Sequence, residues 1–317
     1  MTSRIHRPLL ALTVAMALIA VIASVGLLVD HRTVVGSAIW LKPLKFAISL
    51  ALLGGALAWM LTLTTRLRRV GWWAGTVVAA MSFAEMSLIL LQVARGRASH
   101  FNHATAFDAN VFSAMGMLVT VLWTATLVLG IVIALQRHLE PGLKWALRFG
   151  MAVSLAGMAI GFLMVSPTPA QQRALDAGQP VDMIGAHSVG VPDGGPGLPL
   201  TGWATTGGDL RIPHFVGLHA LQVLPLLAVA LLALSRRSSR FAESGVRVRL
   251  VGVAAAGYAG LVGLLTWQAL RGQPLIHPDL VTLAGFAGLL GSVALAARLV
   301  VRAPAAVRPA EPVAASR

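Results

Sequence analysis

The chain has 317 residues, of which 57% are hydrophobic and only 11% charged, with a formal net charge of +14 and no cysteine. Soluble domains carry about 25% charged residues, so the composition excludes an ordinary soluble protein and points to the membrane class. Without cysteine there are no disulfides, thiolate metal sites or Cys nucleophiles, and any metal has to be held by His, Asp, Glu or Met.

A helix needs about 20 apolar residues to cross a bilayer, and the chain offers eight such runs. The first, 9–29, follows the short basic segment MTSRIHRP. It is about twice as long as a signal-peptide core and reads as an uncleaved span. The others are 44–64, 70–93, 110–135, 143–165, 213–235, 249–270 and 280–301. A long polar segment, 166–212, separates the fifth and sixth spans, and the Pro/Ala-rich tail 303–317 has the composition of a disordered cytoplasmic end. The expected fold is an all-α integral membrane protein of about eight transmembrane helices with one long extracytoplasmic loop.

Charge sets the orientation. With the N-terminus in the cytoplasm, 17 of the 25 basic residues fall on the inner side, including Arg66, Arg68, Arg69, Arg236, Arg237 and Arg240. That is the positive-inside pattern of a multi-pass cell-membrane protein with both termini cytoplasmic. All the aspartates fall on the outer side. The excess positive charge then faces anionic lipid, and no nucleic-acid partner is needed to explain it. Histidine divides the other way: His31, His100, His103, His187, His214, His219 and His277 lie outside or at outer helix ends, and only His6 and His138 lie inside. The candidate site is therefore extracytoplasmic.

A repeat is visible between spans four helices apart. Gln92-Val-Ala-Arg95-Gly96 precedes His100, and Gln268-Ala-Leu-Arg271-Gly272 precedes His277; Pro43-Leu-Lys-Phe46 likewise opens the second span and Pro213-His-Phe215 the sixth. An even helix separation keeps both copies in one orientation, so two parallel four-helix halves are expected, 1–142 and 143–302.

Five constellations can carry chemistry. His214, His219 and Gln222, spaced five and then three residues apart, share one broad face at the outer end of the sixth helix. Lipid-facing imidazole is expensive, so this face should look into the bundle. The three read either as metal or haem ligands with Gln222 orienting them, or as a helix cap and an interhelical hydrogen bond. Glu85 and Gln92 are seven residues apart, on one face of the third helix. An intramembrane carboxylate is a proton relay, a metal ligand, a general acid/base or half of a structural ion pair, and Lys45, Arg95, Arg271 and His219 are its candidate partners. His100 and His103 form an H-x-x-H spacing that is a weak metal signal, and Ser99, His100 and Asp108 offer triad residue types without triad evidence. The loop sequences PDGGPG and TTGGDLR put glycines beside Asp193 and Asp209, with Trp203 between. Such a loop can act as a lid presenting His187, or it is inert. Lys42 and Lys45 flank Pro43 at the outer interface, either as anchors beside Trp40 or as a cationic clamp.

Three function classes fit. In the first, a membrane enzyme of redox or hydrolytic type, His214 and His219 with one of His100, His103 or His187 hold a metal ion or haem. Glu85 handles protons there, His219 and Gln222 belong to the catalytic group, and Arg95 and Arg271 bind an anionic group. The layout of eight spans in two halves with outward His resembles that of haem A synthase, in which each half supplies a pair of helix-borne histidines. Here Lys45 stands where the counterpart of His214 would be, so no ligand carries over. The second class is a carrier for a small solute or ion using Glu85, and the third a non-catalytic scaffold or assembly factor. Besides the lipid bilayer, the partner these readings imply is an anionic or lipid-soluble small molecule.

Overall fold

The computed structural model describes residues 5–303, so the tail expected to be disordered lies, from residue 304 on, outside the described residues. In hydrocarbon each backbone N–H and C=O must be satisfied within the chain, which leaves the helix as the natural form for an isolated apolar run. The chain obeys this along its length. In order it forms α1 (Arg7–Val29), the strands β1 (Thr33–Val34) and β2 (Ser37–Ala38), α2 (Leu41–Thr62), α3 (Arg68–Arg95), α4 (Ala106–Ala134) and α5 (Pro141–Met164). The short α6 (Pro169–Asp176), β3 (Ser188–Val189), β4 (Gly208–Asp209), α7 (Arg211–Leu234), α8 (Ser239–Ala242), α9 (Ser244–Leu270) and α10 (Leu280–Arg302) follow. Eight of these helices are long and apolar enough to cross a membrane, and the protein is an all-α multi-pass membrane protein in a lipid-bilayer environment.

Helix ends follow from side chains that the sequence supplies. His6 accepts the amide of Leu9 to start α1, Thr105 that of Asp108 to start α4, Glu140 that of Leu143 to start α5, and Asp279 that of Thr282 to start α10. Gly96, in the left-handed region at φ 66°, stops α3. Three of these four helices, α1, α4 and α5, start a few residues before their apolar runs, because their caps are polar and belong to the interface.

Within the first four spans, α1 packs on α2 and α3, α2 on α3, and α3 on α4. In the last four, α5 packs on α7 and α9, α7 on α9, and α9 on α10. Contacts of α4 with α5 and of α2 with α7 join the two sets. One buried core runs through the junction, with Leu12, Leu57, Val78, Leu129, Leu147 and Leu221 among its members. The outermost helix, α10, buries only Thr282 and leaves Leu283, Leu290, Leu295 and Leu299 exposed, as a lipid-facing helix does.

Small residues set the closest crossing. Gly157 of α5 and Gly217 of α7 meet so closely that a methyl group on Gly157 would lie 2.6 Å from the Gly217 backbone. Close approach of this kind is how helices associate where lipid gives no hydrophobic drive.

The connections collect at two ends. At one end, Gln136 Oε1 accepts the amide of Thr65 at 2.9 Å, and Arg247 donates to Glu140 Oε1 at 3.0 Å. At the other end stand the β1–β2 hairpin, the α3–α4 turn and the long segment between α5 and α7. That segment is ordered: β3 pairs antiparallel with β4, Ser188 opposite Asp209 and Val189 opposite Gly208. Met183 bridges to Asn102 of the α3–α4 turn, and Ile184 donates its amide to Phe101 O at 2.8 Å.

Replacing Gly157 by Leu forces α5 off α7, and the thermal unfolding midpoint in detergent should drop by the equivalent of about 3 kcal/mol. Gly116→Leu, at a position whose added methyl group would meet nothing within 4 Å, should leave the midpoint in place. Equal midpoints for the two variants would refute the role given to this crossing.

Candidate functional site

Polar residues converge at the loop-bearing end, and α3 supplies the deepest of them. Its buried seam reads Gly71, Gly75, Val78, Ser82, Glu85, Ile89 and Gln92, the three- and four-residue spacing of a helix face. Glu85 is 2% exposed, and neither carboxylate oxygen has a hydrogen-bond partner among the described residues. Ser82 Oγ, one turn along the same face, is also buried without a partner. The nearest cationic candidate to Glu85 is the imidazole of His100, whose Nε2 stands 3.7 Å from Oε1, too far for a hydrogen bond.

His100 is placed by the α3–α4 turn. Its Nδ1 lies 3.1 Å from Ser99 Oγ, and its ring packs against Phe46, Phe101 and Phe112. On the far edge of Phe101 lies His187, with ring centroids 4.8 Å apart. His187 Nδ1 is 2.7 Å from Asp193 Oδ2. Asp193 also accepts the amides of Ser188 at 2.8 Å and of His187 at 3.0 Å, so one carboxylate fixes both the hairpin turn and the imidazole. Lys42 enters the group from the first turn of α2. Its ammonium, 6.0 Å from the Phe46 ring, makes no hydrogen bond or ion pair among the described residues. It is close enough to Glu85, His100, His187 and Asp193 for its charge to act on each of them.

The electrostatics of the loop residues follow from burial. Burial lowers the pKa of His187 to about 4, against the hydrogen bond to Asp193 and with the help of the Lys42 and Arg211 charges. His100 is held well below the usual histidine range, first by burial and then by the charges of Lys42 and His187. Burial alone would raise the carboxyl of Asp193; the hydrogen bonds from the His187 side chain and from the His187 and Ser188 amides outweigh it and hold the group well below the usual range. The pair is then a neutral imidazole donating Nδ1–H to a carboxylate. This tautomer leaves Nε2 as a free base.

The other residues singled out in the sequence are placed elsewhere. His214 Nδ1 is 2.8 Å from Gly157 O, inside the α5–α7 crossing. His219 packs on Phe215, with centroids 4.5 Å apart, and Gln222 donates to Leu52 O at 3.3 Å, in the contact of α7 with α2. Five residues are more than one helical turn but well short of two, so the two histidines of α7 point to different neighbours. His103 turns to its own turn, Nδ1 3.2 Å from Phe101 O. Among the described residues no three His, Asp or Glu side chains come together as a metal set, so His100, His103, His187, His214 and His219 do not form one ligand sphere. Arg95 and Arg271, read as anion binders, are each taken by a carboxylate: Arg95 bonds Asp108 and Arg271 bonds Asp279 at 2.6 Å.

These two arginines belong to a repeated turn. Gln92 Nε2 donates to Ala98 O and Gln268 Nε2 to Pro274 O, each six residues on; Gly96 and Gly272 both adopt positive φ. In each copy the arginine then ties the end of one helix to the start of the next. Lys45, named with Lys42 as an anchor, donates instead to Thr201 O at 2.6 Å and holds the long loop. The residue the sequence undervalued is Lys42. Its neighbour Pro43 and the nearby Trp40 marked an interface, but nothing local showed that the ammonium turns inward.

Comparison with known protein families, with curated proteins and with solved structures finds no match to this chain.

The pH dependence of stability follows from the loop histidines. An unfolded His titrates near 6.5 and folded His187 near 4. Between these values the unfolded chain takes up a proton that the folded chain refuses, so stability is full above pH 6.5 and falls as the pH drops toward 4. Thermal unfolding in detergent should lose on the order of 3 kcal/mol across this window from His187, with His100 adding in the same direction. His187→Gln should flatten the profile by that share; a profile as steep as that of the parent would refute the assignment.

Proposed function

We propose that this protein is a membrane enzyme whose site, on the extracytoplasmic side, works by acid–base chemistry on a small anionic or lipid-soluble molecule. The observation that carries this reading is the His187–Asp193 pair within range of the charge of Lys42, whose ammonium makes no ion pair among the described residues. His187 Nε2 accepts a proton from the substrate, and Asp193 stabilises the imidazolium that forms. Lys42 holds an anionic group of the substrate or the charge that develops as the proton leaves. Glu85 and His100, 3.7 Å apart, are the second place a proton can be given or taken. A fold gains no stability from ionisable groups kept buried without partners, and such groups cluster at functional sites. Because the histidines do not share a ligand sphere, the geometry favours this acid–base form over the metal- or haem-dependent one.

A carrier is the second reading, and the unpartnered Glu85 is the observation in its favour. Against it, the bundle beyond Glu85 is lined chiefly by apolar side chains, Leu57, Met60, Val78 and Leu129 among them. The repeated turn and the matching helix pairings support two parallel four-helix halves, with boundaries near 142 and 302. The charge distribution supports a cell-membrane location with the termini in the cytoplasm.

Two experiments test these proposals. The chain has no cysteine, so single cysteines report sidedness directly. Gln179→Cys should react with a membrane-impermeant thiol reagent in intact cells, and Ser239→Cys only after permeabilisation; the reverse pattern would overturn the orientation. For activity, small-molecule extracts of cells lacking and overproducing the protein should differ in a compound that the purified protein converts. His187→Gln should lower kcat by at least 100-fold, the order set by loss of a general base, and Lys42→Met should chiefly raise KM. Movement of the compound across proteoliposomes without conversion would replace the enzyme by the carrier. A Soret band or stoichiometric metal in the purified protein would replace the acid–base form by the metal- or haem-dependent one.

A further inference from the structure

The flank of the bundle away from the loop carries a groove between α3 and α4. It measures about 690 Å³ and is lined by Val70, Trp73, Val77, Val121, Thr124 and Val128, with Arg69 at its mouth. Its α3 wall runs from Arg69 to Val77, eight residues, or about 12 Å along the helix axis. Thr120 and Thr124 donate their hydroxyls to Gly116 O and Thr120 O of their own helix, so the polar atoms in the α4 wall are already satisfied. The groove is therefore apolar along its length and charged at one end.

That end is strongly basic. Arg66, Arg68 and Arg69 fall within four residues, all exposed, and none is ion-paired among the described residues. No acidic residue lies in the first turn of α3. Trp72 and Trp73 stand beside them, Trp73 at 63% exposure, with the two rings edge to face at 4.8 Å. Arginine at headgroup level and tryptophan at the boundary mark where the bilayer surface meets the helix ends. An apolar furrow descending from there points into the hydrocarbon.

We propose that this groove is a seat for an anionic phospholipid, its phosphate held by Arg66, Arg68 and Arg69 and one acyl chain laid down the groove from Trp73 and Val128 toward Val77 and Val121. Charge complementarity selects the class of lipid. Three unpaired guanidinium groups at the headgroup level favour a net negative headgroup over a zwitterionic one, by about fivefold in affinity for each arginine near the surface. The seat is independent of the site at the loop-bearing end and stands whatever reaction that site performs.

The test uses full-length protein in detergent, titrated with phosphatidylglycerol and with phosphatidylcholine of the same acyl chains. Native mass spectrometry counts the bound lipid. Phosphatidylglycerol should bind more tightly, and the triple variant R66Q/R68Q/R69Q should lose that preference while keeping the parent's elution volume and unfolding midpoint without lipid. Phosphatidylglycerol with brominated acyl chains should quench tryptophan emission in the parent, and Trp73→Phe should remove a measurable part of the quenching. Equal binding of the two lipids, or a preference that survives in the triple variant, would overturn the proposal. So would inorganic phosphate matching the stabilisation given by phosphatidylglycerol, since the acyl chain would then play no part. If the triple variant does not stay folded, Trp73→Phe quenching and the comparison of headgroups decide the question alone.

Discussion

The constraint on which the rest of this structure depends is that backbone close to a membrane must satisfy its own hydrogen bonds. The helices do so internally, but the segment between α5 and α7 is long and irregular and has to find partners elsewhere. Carboxylates supply many of them. Asp193 accepts the amides of His187 and Ser188, and Asp209 accepts those of Ala204 and Arg211 together with the Arg211 guanidinium. With these two anchors and the short β3–β4 ladder, the segment becomes a fixed cover. The order of the loop is what gives His187 a defined position, edge-on to Phe101 and within range of the Lys42 charge.

A second consequence is the division of labour among charged groups. Arg95, Arg211, Arg247 and Arg271 each face a carboxylate, and each pair holds two elements or two parts of one loop together. Bidentate planar guanidinium suits this structural use. Lys42, Glu85 and His100 are treated differently: Glu85 is buried without a hydrogen-bond partner, His100 stands 3.7 Å from it, and Lys42, half-buried, makes no ion pair among the described residues. Packing a carboxylate into the α3 seam without a partner costs stability that a leucine there would not. The contrast between the paired arginines and the unpartnered carboxylate of Glu85 is what sets this cluster apart from the rest of the architecture.

Lipid sets the remaining surfaces. The α5–α7 crossing relies on glycine contact, and α10 is left with one packed face and a broad apolar exterior. On α3 and α4 the apolar exterior meets unpaired arginines at the start of α3 and becomes a surface with chemical preference. The two ends of the molecule thus differ: one organises polar side chains under the long loop, and the other carries the unpaired arginines at the start of α3.

Much of this was legible in the residues themselves, because a membrane span is a local property. Uninterrupted apolar runs located the eight helices to within a few residues, and the seven-residue spacing of Glu85 and Gln92 put both on the buried seam of α3. The Q-x-x-R-G repeat likewise marked two turns with the same bonds. Partners across the bundle were not legible. Glu85 meets His100 instead of Lys45, Arg95, Arg271 or His219, since those cations are occupied or lie on other faces. His214 and His219 share a helix, yet their five-residue spacing hands one to α5 and the other to Phe215. Periodicity and charge act along the chain and can be read from it. Which side chains meet depends on helix rotation and on the path of a loop, and those are decided only when the helices pack.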